Sequence, residues 1–157
     1  MRFGWVALVV AAATGADIAT KAWARAVLEP AAPPVDVLPF LSLRLVFNEG
    51  VSFSLFAPSS EGGGMLIVGL TAILTLAAGA WAIASRGWQR VALALVTAGA
   101  LGNLLDRLGH CSVTDFLLFQ PGVALFVFNV ADVWITIGVI ALVLSNFKAT
   151  NGLLKRP

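Results

Sequence analysis

Two aspartates in the C-terminal part of the chain have the residue type and surroundings for acid–base chemistry. Asp115 lies in V-T-D-F, and Asp132 lies in F-N-V-A-D at the start of an apolar segment, Val130–Phe147, with no other ionisable residue. A carboxylate beside a membrane span is costly and is by default a candidate functional group. Two carboxyls that share one proton can activate a water molecule, as in aspartic proteases. A structural alternative exists for Asp132, because Asn129 and Asp132 are spaced like a capping box at a helix N-terminus.

The composition is that of an integral membrane protein with a single domain, 1–157. Of the 157 residues, 59% are hydrophobic and 11% are charged, whereas average soluble domains carry roughly 25% charged residues. The only cysteine, Cys111, cannot form an internal disulfide. The ligand types of a zinc site are missing, so we expect no metal and no cofactor. No basic cluster with interleaved aromatic residues indicates a nucleic-acid partner.

Four apolar segments predict an all-α membrane protein with four transmembrane helices, each long enough for a hydrocarbon core of about 30 Å. They cover approximately residues 3–27, 65–84, 88–106 and 130–147. In the first segment, Asp17 and Lys21 are spaced i and i+4, which predicts an ion pair on one helix face. The third segment is rich in small residues that allow close helix approach. It ends in G-N-L-L-D-R, with Asn103, Asp106 and Arg107.

The first outer loop is predicted to carry a small β-sheet, over approximately residues 35–56. Apolar and polar residues alternate from Leu41 to Phe47, and the alternation resumes after Asn48 and Gly50. Alternation around N-E-G predicts a β-hairpin or a bent pair of strands, although Asn48 and Gly50 are also ordinary turn residues. Strand edges cannot stay unpaired in lipid, so this sheet is predicted at or above the membrane surface.

The remaining segments are predicted to be connections. Glu29–Pro39 holds four prolines and no helical period, which is typical of an exposed linker. Residues 57–64 predict a flexible loop. Residues 108–128 form a second outer loop, which includes Asp115 and a predicted strand at Val123–Phe128.

The distribution of charge predicts the orientation in the membrane. Six of the ten basic residues, with no acid among them, fall on one side of the predicted spans, and all eight acids fall on the opposite half. Because basic loops stay cytoplasmic, both termini are predicted inside and both outer loops outside. This topology brings the polar motifs to one membrane level. They comprise Asp17, Asn48, Asn103, Arg107, Asp115, Asn129 and Asp132.

Together, the motifs resemble those of the bacterial lipoprotein signal peptidase (signal peptidase II) family, nearly from end to end. Five segments carry the resemblance: D-I-A-T-K (Asp17, Lys21), N-E-G-V-S-F (Asn48, Gly50), G-N-L-L-D-R (Asn103, Asp106, Arg107), V-T-D-F (Asp115) and F-N-V-A-D (Asn129, Ala131, Asp132). Each segment alone is a weak signal, but their order and spacing on four spans are highly specific. One departure is Cys111, where the family usually has a glycine.

The resemblance implies an aspartic endopeptidase of the bacterial inner membrane. Such an enzyme removes the signal peptide of a prolipoprotein by cutting before a cysteine that already carries diacylglycerol. By the same resemblance, Asp115 and Asp132 are the catalytic pair, at the outer face. The implied substrate-binding or site-supporting residues are Asp17, Lys21, Asn48, Gly50, Asn103, Asp106, Arg107, Asn129 and Ala131. The implied partners are the diacylglyceryl prolipoprotein and membrane lipids, and we expect a monomer.

Two functions of other classes compete with proteolysis. A small ion-coupled membrane transporter would also use carboxylates in the membrane, but in this chain the acids cluster at one surface and no inverted repeat is evident. A non-catalytic helix-bundle subunit would use polar motifs only to hold helices together. The five filled motifs argue against a subunit that has lost its activity.

Overall fold

The structure is a computed structural model that describes residues 2–50, 61–122 and 125–154. The helices are α1 (Arg2–Val27), α2 (Glu61–Ala84), α3 (Gly87–His110) and α4 (Val130–Leu154). The strands are β1 (Val35–Leu38), β2 (Leu41–Asn48), β3 (Val113–Phe119) and β4 (Phe126–Phe128). Strands β1 and β2 therefore lie between α1 and α2 in the chain, and β3 and β4 lie between α3 and α4.

Within the part of the chain that the structure describes, three helices are long and apolar enough to cross a membrane, namely Gly4–Val27, Gly64–Ala84 and Gly87–His110. In α4 the apolar stretch is shorter, at Val130–Ser145. Large apolar side chains on the outer faces of the helices remain exposed, such as Leu8, Met65 and Leu144. The prediction of a mainly helical membrane protein with a small sheet is confirmed. That α4 also crosses the membrane stays a prediction.

Helix α3 is the centre of the bundle and packs against each of the other three helices. Its small residues allow this, as the sequence predicted. A side chain at Gly99 would collide with the carbonyl oxygen of Ala131 in α4, and one at Gly138 would come within 2.6 Å of the carbonyl oxygen of Ala92. The backbones of α3 and α4 therefore lie in direct contact, which brings the first turn of α4 against α3.

Two apolar clusters hold the opposite ends of the bundle. At one end, Val6 packs with Ala82, Leu93 and Ala94, near the turn between α2 and α3. At the other end, Ala24 of α1 packs with Leu45 of β2 and Phe116 of β3. The sheet is thus seated on the C-terminal end of α1.

The four described strands form one antiparallel sheet in the order β1-β2-β3-β4. The strand predicted after Gly50, over residues 51–55, lies outside the described residues. The second half of the predicted linker is strand β1, because the alternating V-D-V-L follows the last of the clustered prolines. Strand β4 lies within the segment Val123–Phe128, where a strand was predicted.

The prediction of a loop from residue 108 to the next strand is wrong in two places. Helix α3 continues to His110 and ends where Cys111 adopts a left-handed backbone conformation. Strand β3 then occupies Val113–Phe119 and carries Asp115. The sequence V-T-D-F-L-L-F has no alternation of apolar and polar residues, because the strand is largely buried on both of its faces.

A β-bulge in β2 decides which side chains face Asp115. Leu43 pairs with Leu117 and Val46 with Asp115, so two residues of β2 lie opposite one residue of β3. A bulge of this kind reverses the alternation of side chains along the strand. The bulge places Asn48 on the same face of the sheet as Asp115. Without it, the alternation predicted from the sequence would place Asn48 on the other face, away from Leu43 and Asp115.

Candidate active site

Asp115 is held on the sheet by two amide side chains. Its Oδ2 accepts a hydrogen bond from Nδ2 of Asn48 at 3.0 Å, and its Oδ1 accepts one from Nδ2 of Asn129 at 2.6 Å. The carboxyl is buried. Two separate elements, the end of β2 and the residue before α4, therefore fix its position.

Asp132 lies in the first turn of α4. Its Oδ1 accepts a hydrogen bond from Nδ2 of Asn103 at 2.9 Å, and its Oδ2 accepts one from the N–H of Asn129 at 3.2 Å. In return, the N–H of Asp132 donates to Oδ1 of Asn129 at 3.1 Å. This is the reciprocal capping box that the spacing predicted. The capping role and a role in chemistry are compatible, because a cap fixes the carboxylate without covering both of its faces.

Asn129 brings the two aspartates together. Its Nδ2 donates to Asp115, its backbone N–H donates to Asp132, and the residue is fully buried. Asn103 forms a second link, because it accepts from Nδ2 of Asn129 at 3.2 Å and donates to Asp132. Two carboxyls that are remote in the sequence thus belong to one hydrogen-bonded group.

The surroundings of Asp115 favour its protonated form, whereas those of Asp132 favour its negative charge. Burial raises the pKa of Asp115 above its usual value, and the nearby charge of Asp132 adds to this, although hydrogen bonds from Asn48 and Asn129 oppose it. The N-terminus of α4 favours a negative charge on Asp132 by about 0.3–1 kcal/mol. Because the carboxyls interact, the proton belongs to the pair, and Asp115 is the better place for it.

A buried ion pair lies beneath this group, as the i,i+4 spacing predicted. Nζ of Lys21 is 2.9 Å from Oδ2 of Asp17 and donates to Oδ1 of Asn103 at 2.8 Å, and both charged residues are fully buried. Oδ1 of Asp17 accepts the N–H of Ala131 at 2.8 Å. Lys21 therefore orients the Asn103 amide so that its nitrogen faces Asp132, and Asp17 anchors the first turn of α4.

Gly102 provides the space for Asp17 against α3, because a side chain there would collide with Oδ2 of Asp17. We expect Gly102→Ala to lower the free energy of unfolding by about 1–3 kcal/mol, since overpacking displaces the ion pair. Thermal unfolding in detergent measures this. Gly15→Ala is the control, because a side chain at Gly15 would meet open space and the helix gains up to about 1 kcal/mol from alanine. Equal effects of the two substitutions would contradict the assigned role of Gly102.

Asn48 and Gly50 form a turn that also supports the site. Oδ1 of Asn48 accepts the N–H of Gly50 at 2.9 Å, which leaves the amide nitrogen for Asp115. Gly50 has φ +87, and a side chain there would come within 2.9 Å of Cδ1 of Ile67. The turn therefore needs glycine, and it places the end of β2 against α2.

Arg107 and Asp106 point to different sides of α3, as expected for adjacent helical residues. Arg107 lies near enough to both Asp115 and Asp132 for their charges to interact with its guanidinium. Its Nε is buried without a hydrogen-bond partner among the described residues. Asp106 instead accepts the N–H of Thr114 at 2.6 Å. Arg107 therefore lies on the side of the aspartates with an unused donor, and Asp106 anchors the start of β3.

An open cleft lies beside Arg107, between the N-terminal half of α2 and the C-terminal end of α3. Its volume is about 500 Å³, and Glu49 lies at its border. The apolar part of the lining comprises Met65, Ile67, Val68 and Leu108. An extended apolar segment with one polar backbone group facing Arg107 would fit such a cleft.

Cys111 ends α3 in a left-handed conformation with φ 56, and its N–H donates to the carbonyl oxygen of Arg107 at 2.9 Å. Glycine adopts this conformation without the cost to other residues, about 1–2 kcal/mol. We therefore expect Cys111→Gly to raise the free energy of unfolding by about 1 kcal/mol. The net gain is smaller than the relieved backbone cost, because glycine also makes the unfolded chain more flexible and so stabilises the unfolded state. Cys111→Ala removes the thiol but keeps the backbone cost, so it should unfold like the parent. A gain of similar size in the alanine variant would contradict this explanation.

Two polar side chains of this region were not singled out from the sequence. Arg25 donates to Oδ1 of Asp106 and to Oγ1 of Thr114, each at 2.7 Å. A signal for Arg25 exists, because Asp17, Lys21 and Arg25 recur at i, i+4 and i+8 on one face of an apolar helix. No comparable signal marks Thr114, whose partners come from distant parts of the chain.

The fold and the site together define a helical membrane protein with a paired-aspartate centre beneath a small sheet. A sequence model described as signal peptidase (SPase) II matches residues 9–148. The lipoprotein signal peptidase of Methylobacterium sp. (strain 4-46) is 42% identical over 115 residues, which are 72% of this chain and 70% of that protein. That of Brucella ovis (strain ATCC 25840 / 63/290 / NCTC 10512) is 41% identical over 72% of this chain and 71% of its own length.

The structural comparison agrees with the sequence comparison. A bacterial membrane enzyme, solved by the in meso method at 2.3 Å resolution, superimposes with a TM-score of 0.83 and 26% identity. The superposition covers 98% of this chain and 94% of that chain. A second such structure, at 1.9 Å resolution, has a TM-score of 0.80 over 92% of this chain and 94% of its own. The chain belongs to the signal peptidase II family, whose members are aspartic proteases.

Proposed function

We propose that this chain removes the signal peptide of diacylglyceryl-modified prolipoproteins, and that Asp115 and Asp132 activate the attacking water. The observation that carries the proposal is the position of Asn129, which donates hydrogen bonds to both carboxyls. Membership in the signal peptidase II family supplies the class of substrate.

In this mechanism the two carboxyls share one proton. Asp132, ionised at the N-terminus of α4, takes a proton from water, and the water oxygen attacks the scissile carbonyl carbon. Asp115, whose pKa is raised by burial, donates its proton to the carbonyl oxygen. The tetrahedral intermediate then collapses. Asp115 takes back the proton of one hydroxyl as the C=O bond re-forms, the C–N bond breaks, and the leaving amine takes up the proton that Asp132 had accepted, so the pair again holds one proton.

The residues around the pair position it and the substrate. Asn103 and Asn129 occupy lone pairs of the carboxyls and fix their directions, which is what general acid–base catalysis requires. Arg107 offers its unused donors to a substrate carbonyl in a site of low dielectric constant. The apolar cleft beside it would accept the chain that leads to the scissile bond, while the acyl chains lie in the surrounding lipid.

The protein is a bacterial membrane protein, and we propose four spans with the active site at the outer face of the inner membrane. The observed packing supports this orientation, because Val6 of α1 lies near the turn between α2 and α3, at the end of the bundle away from the sheet. The basic residues Arg86 and Arg90 lie at this turn. By the positive-inside rule, that end and both termini are cytoplasmic.

The test uses the purified protein in detergent or lipid with a diacylglyceryl-modified prolipoprotein and the same protein without the modification. We expect cleavage of the modified protein directly before the lipidated cysteine, identified by mass spectrometry, and little cleavage of the unmodified one. Binding without cleavage would favour a non-catalytic subunit. An ion flux into liposomes without cleavage would favour a transporter.

A further inference from the structure

We infer that Arg25, near the C-terminal end of α1, is a positioning residue that fixes the direction of the Asp115 side chain. This inference rests on the proposed function, because it assigns a role relative to the proposed catalytic pair. Arg25 is not among the residues that carry the family resemblance. Its role follows from its contacts with Asp106, His110 and Thr114.

The guanidinium of Arg25 connects three parts of the fold. Its Nη1 donates to Oδ1 of Asp106 in α3 at 2.7 Å and to Oγ1 of Thr114 in β3 at 2.7 Å. It also lies 3.4 Å from Nδ1 of His110. The Arg25 side chain is 24% exposed and that of Asp106 is 3% exposed, so the ion pair is largely shielded from water. One side chain thus joins α1, α3 and the start of the strand that carries Asp115.

Arg25 and Asp106 together hold Thr114 at two points. Oδ2 of Asp106 accepts the N–H of Thr114 at 2.6 Å, while Arg25 donates to the Thr114 hydroxyl. Thr114 is fully buried. A residue whose backbone and side chain are both fixed cannot rotate about the strand axis.

The next residue along β3 is Asp115, and successive side chains of a strand point to opposite faces. Thr114 therefore faces α1 and α3, and Asp115 faces Asn48 and Asn129, as their hydrogen bonds show. Rotation of Thr114 would turn the Asp115 carboxyl away from Asp132. Positioning errors of about 1 Å at a reacting group can lower a rate about 100-fold.

Lys21 cannot replace Arg25 at Asp106. Its Nζ is 3.6 Å from Oδ2 of Asp106 and is already engaged by Asp17 at 2.9 Å and by Asn103 at 2.8 Å. Without Arg25, the neighbours of the buried Asp106 carboxylate would be Lys21, held at 3.6 Å, and Nδ1 of the exposed His110, 3.1 Å from Oδ1. Loss of Arg25 would thus weaken the hold on Thr114 and, through it, on Asp115.

The test separates kcat from KM in detergent-solubilised variants, well below their unfolding temperatures. We expect Arg25→Met to lower kcat about 10–100-fold with KM changed less than about twofold, because the pair is misaligned and the substrate cleft is untouched. Arg25→Lys should recover part of the rate, since one ammonium cannot reproduce the two fixed directions of a guanidinium. Thr114→Val removes the same hydroxyl contact, and combining it with Arg25→Met should lower kcat no further than Arg25→Met alone.

The matched control is Thr14→Val. Oγ1 of Thr14 in α1 donates to the carbonyl oxygen of Ala98 in α3 at 3.0 Å, so this change also removes a hydrogen bond between α1 and α3, but away from β3. It should lower stability but leave kcat within about twofold of the parent. Parental kcat in Arg25→Met, or an equal loss of kcat in Thr14→Val, would overturn the inference. If Arg25→Met does not fold, parental kcat in Thr114→Val overturns it instead.

The same assay distinguishes failure of this inference from failure of the proposed function. Full activity of Asp115→Asn would overturn the proposed function itself. An inactive Asp115→Asn together with parental kcat in Arg25→Met would overturn only the role of Arg25.

Discussion

Asp115→Asn and Asp132→Asn are each expected to lower kcat/KM by about 10³-fold or more, because one removes the proposed acid and the other the proposed base. The amide has nearly the same shape as the carboxyl and still accepts one hydrogen bond, so the fold should be retained. Cleavage of a diacylglyceryl prolipoprotein, followed by gel or mass spectrometry, measures the loss. Asp36→Asn is the control, because Asp36 is exposed on β1, where its carboxyl accepts a hydrogen bond from Ser42. Substantial turnover by either site variant would remove the pair from the mechanism.

The stability of Asp115→Asn should distinguish lost chemistry from lost structure. Burial raises the pKa of Asp115 in the folded protein above its usual 3.8. The folded state therefore binds the proton more tightly than the unfolded state, and the parent loses stability as the pH rises through the raised pKa. The variant has no such group, so its unfolding temperature relative to the parent should be higher at pH 7 than at pH 4. A relative stability independent of pH would contradict the assigned burial of an ionisable carboxyl.

Lys21→Met should have the largest effect on stability, a loss of about 3–5 kcal/mol, because it leaves the fully buried Asp17 without its partner. Equilibrium or thermal unfolding in detergent measures it. The variant should also lose activity, since Asn103 no longer has the ammonium that directs its amide nitrogen to Asp132. Arg44→Met is the matched control, because Arg44 is an exposed cation on β2, and exposed cations contribute about 0–1 kcal/mol.

A double-mutant cycle refines this prediction. When Asp17→Asn is combined with Lys21→Met, no buried charge of this pair remains unpaired, so the double variant should be more stable than the sum of the two single losses predicts. The expected coupling is about 1–3 kcal/mol. Additive losses, or a Lys21→Met variant no less stable than Arg44→Met, would show that the ion pair does not support the fold.

Local spacing was enough to predict the contacts that lie within one element. The i,i+4 pair of Asp17 and Lys21 and the capping box of Asn129 and Asp132 depend on helix geometry alone, and the structure contains both. The apolar lengths predicted where the helices lie, to within several residues. The roles of Asn103 and the other supporting residues came from the family resemblance, because spacing along the chain does not reveal which amide meets which carboxyl.

Contacts between elements could not be predicted in this way. Strand β3 was missed because a buried strand without alternation resembles any short apolar loop. The bulge that turns Asn48 toward Asp115 depends on the register between β2 and β3, which no local pattern specifies. Arg25 was visible as part of a polar stripe on α1, but its partner Thr114 lies 89 positions away in the chain.

The central claim is that Asp115 and Asp132 act as one unit, and the rate of the double variant tests it most directly. Single-turnover cleavage of a diacylglyceryl prolipoprotein should be measured for Asp115→Asn, Asp132→Asn and the variant with both changes. If one proton shared by the pair activates the water, either change alone removes the mechanism, and the double variant should be no slower than the slower single variant. If the two losses multiply instead, the carboxyls act independently, and the shared-proton mechanism is wrong.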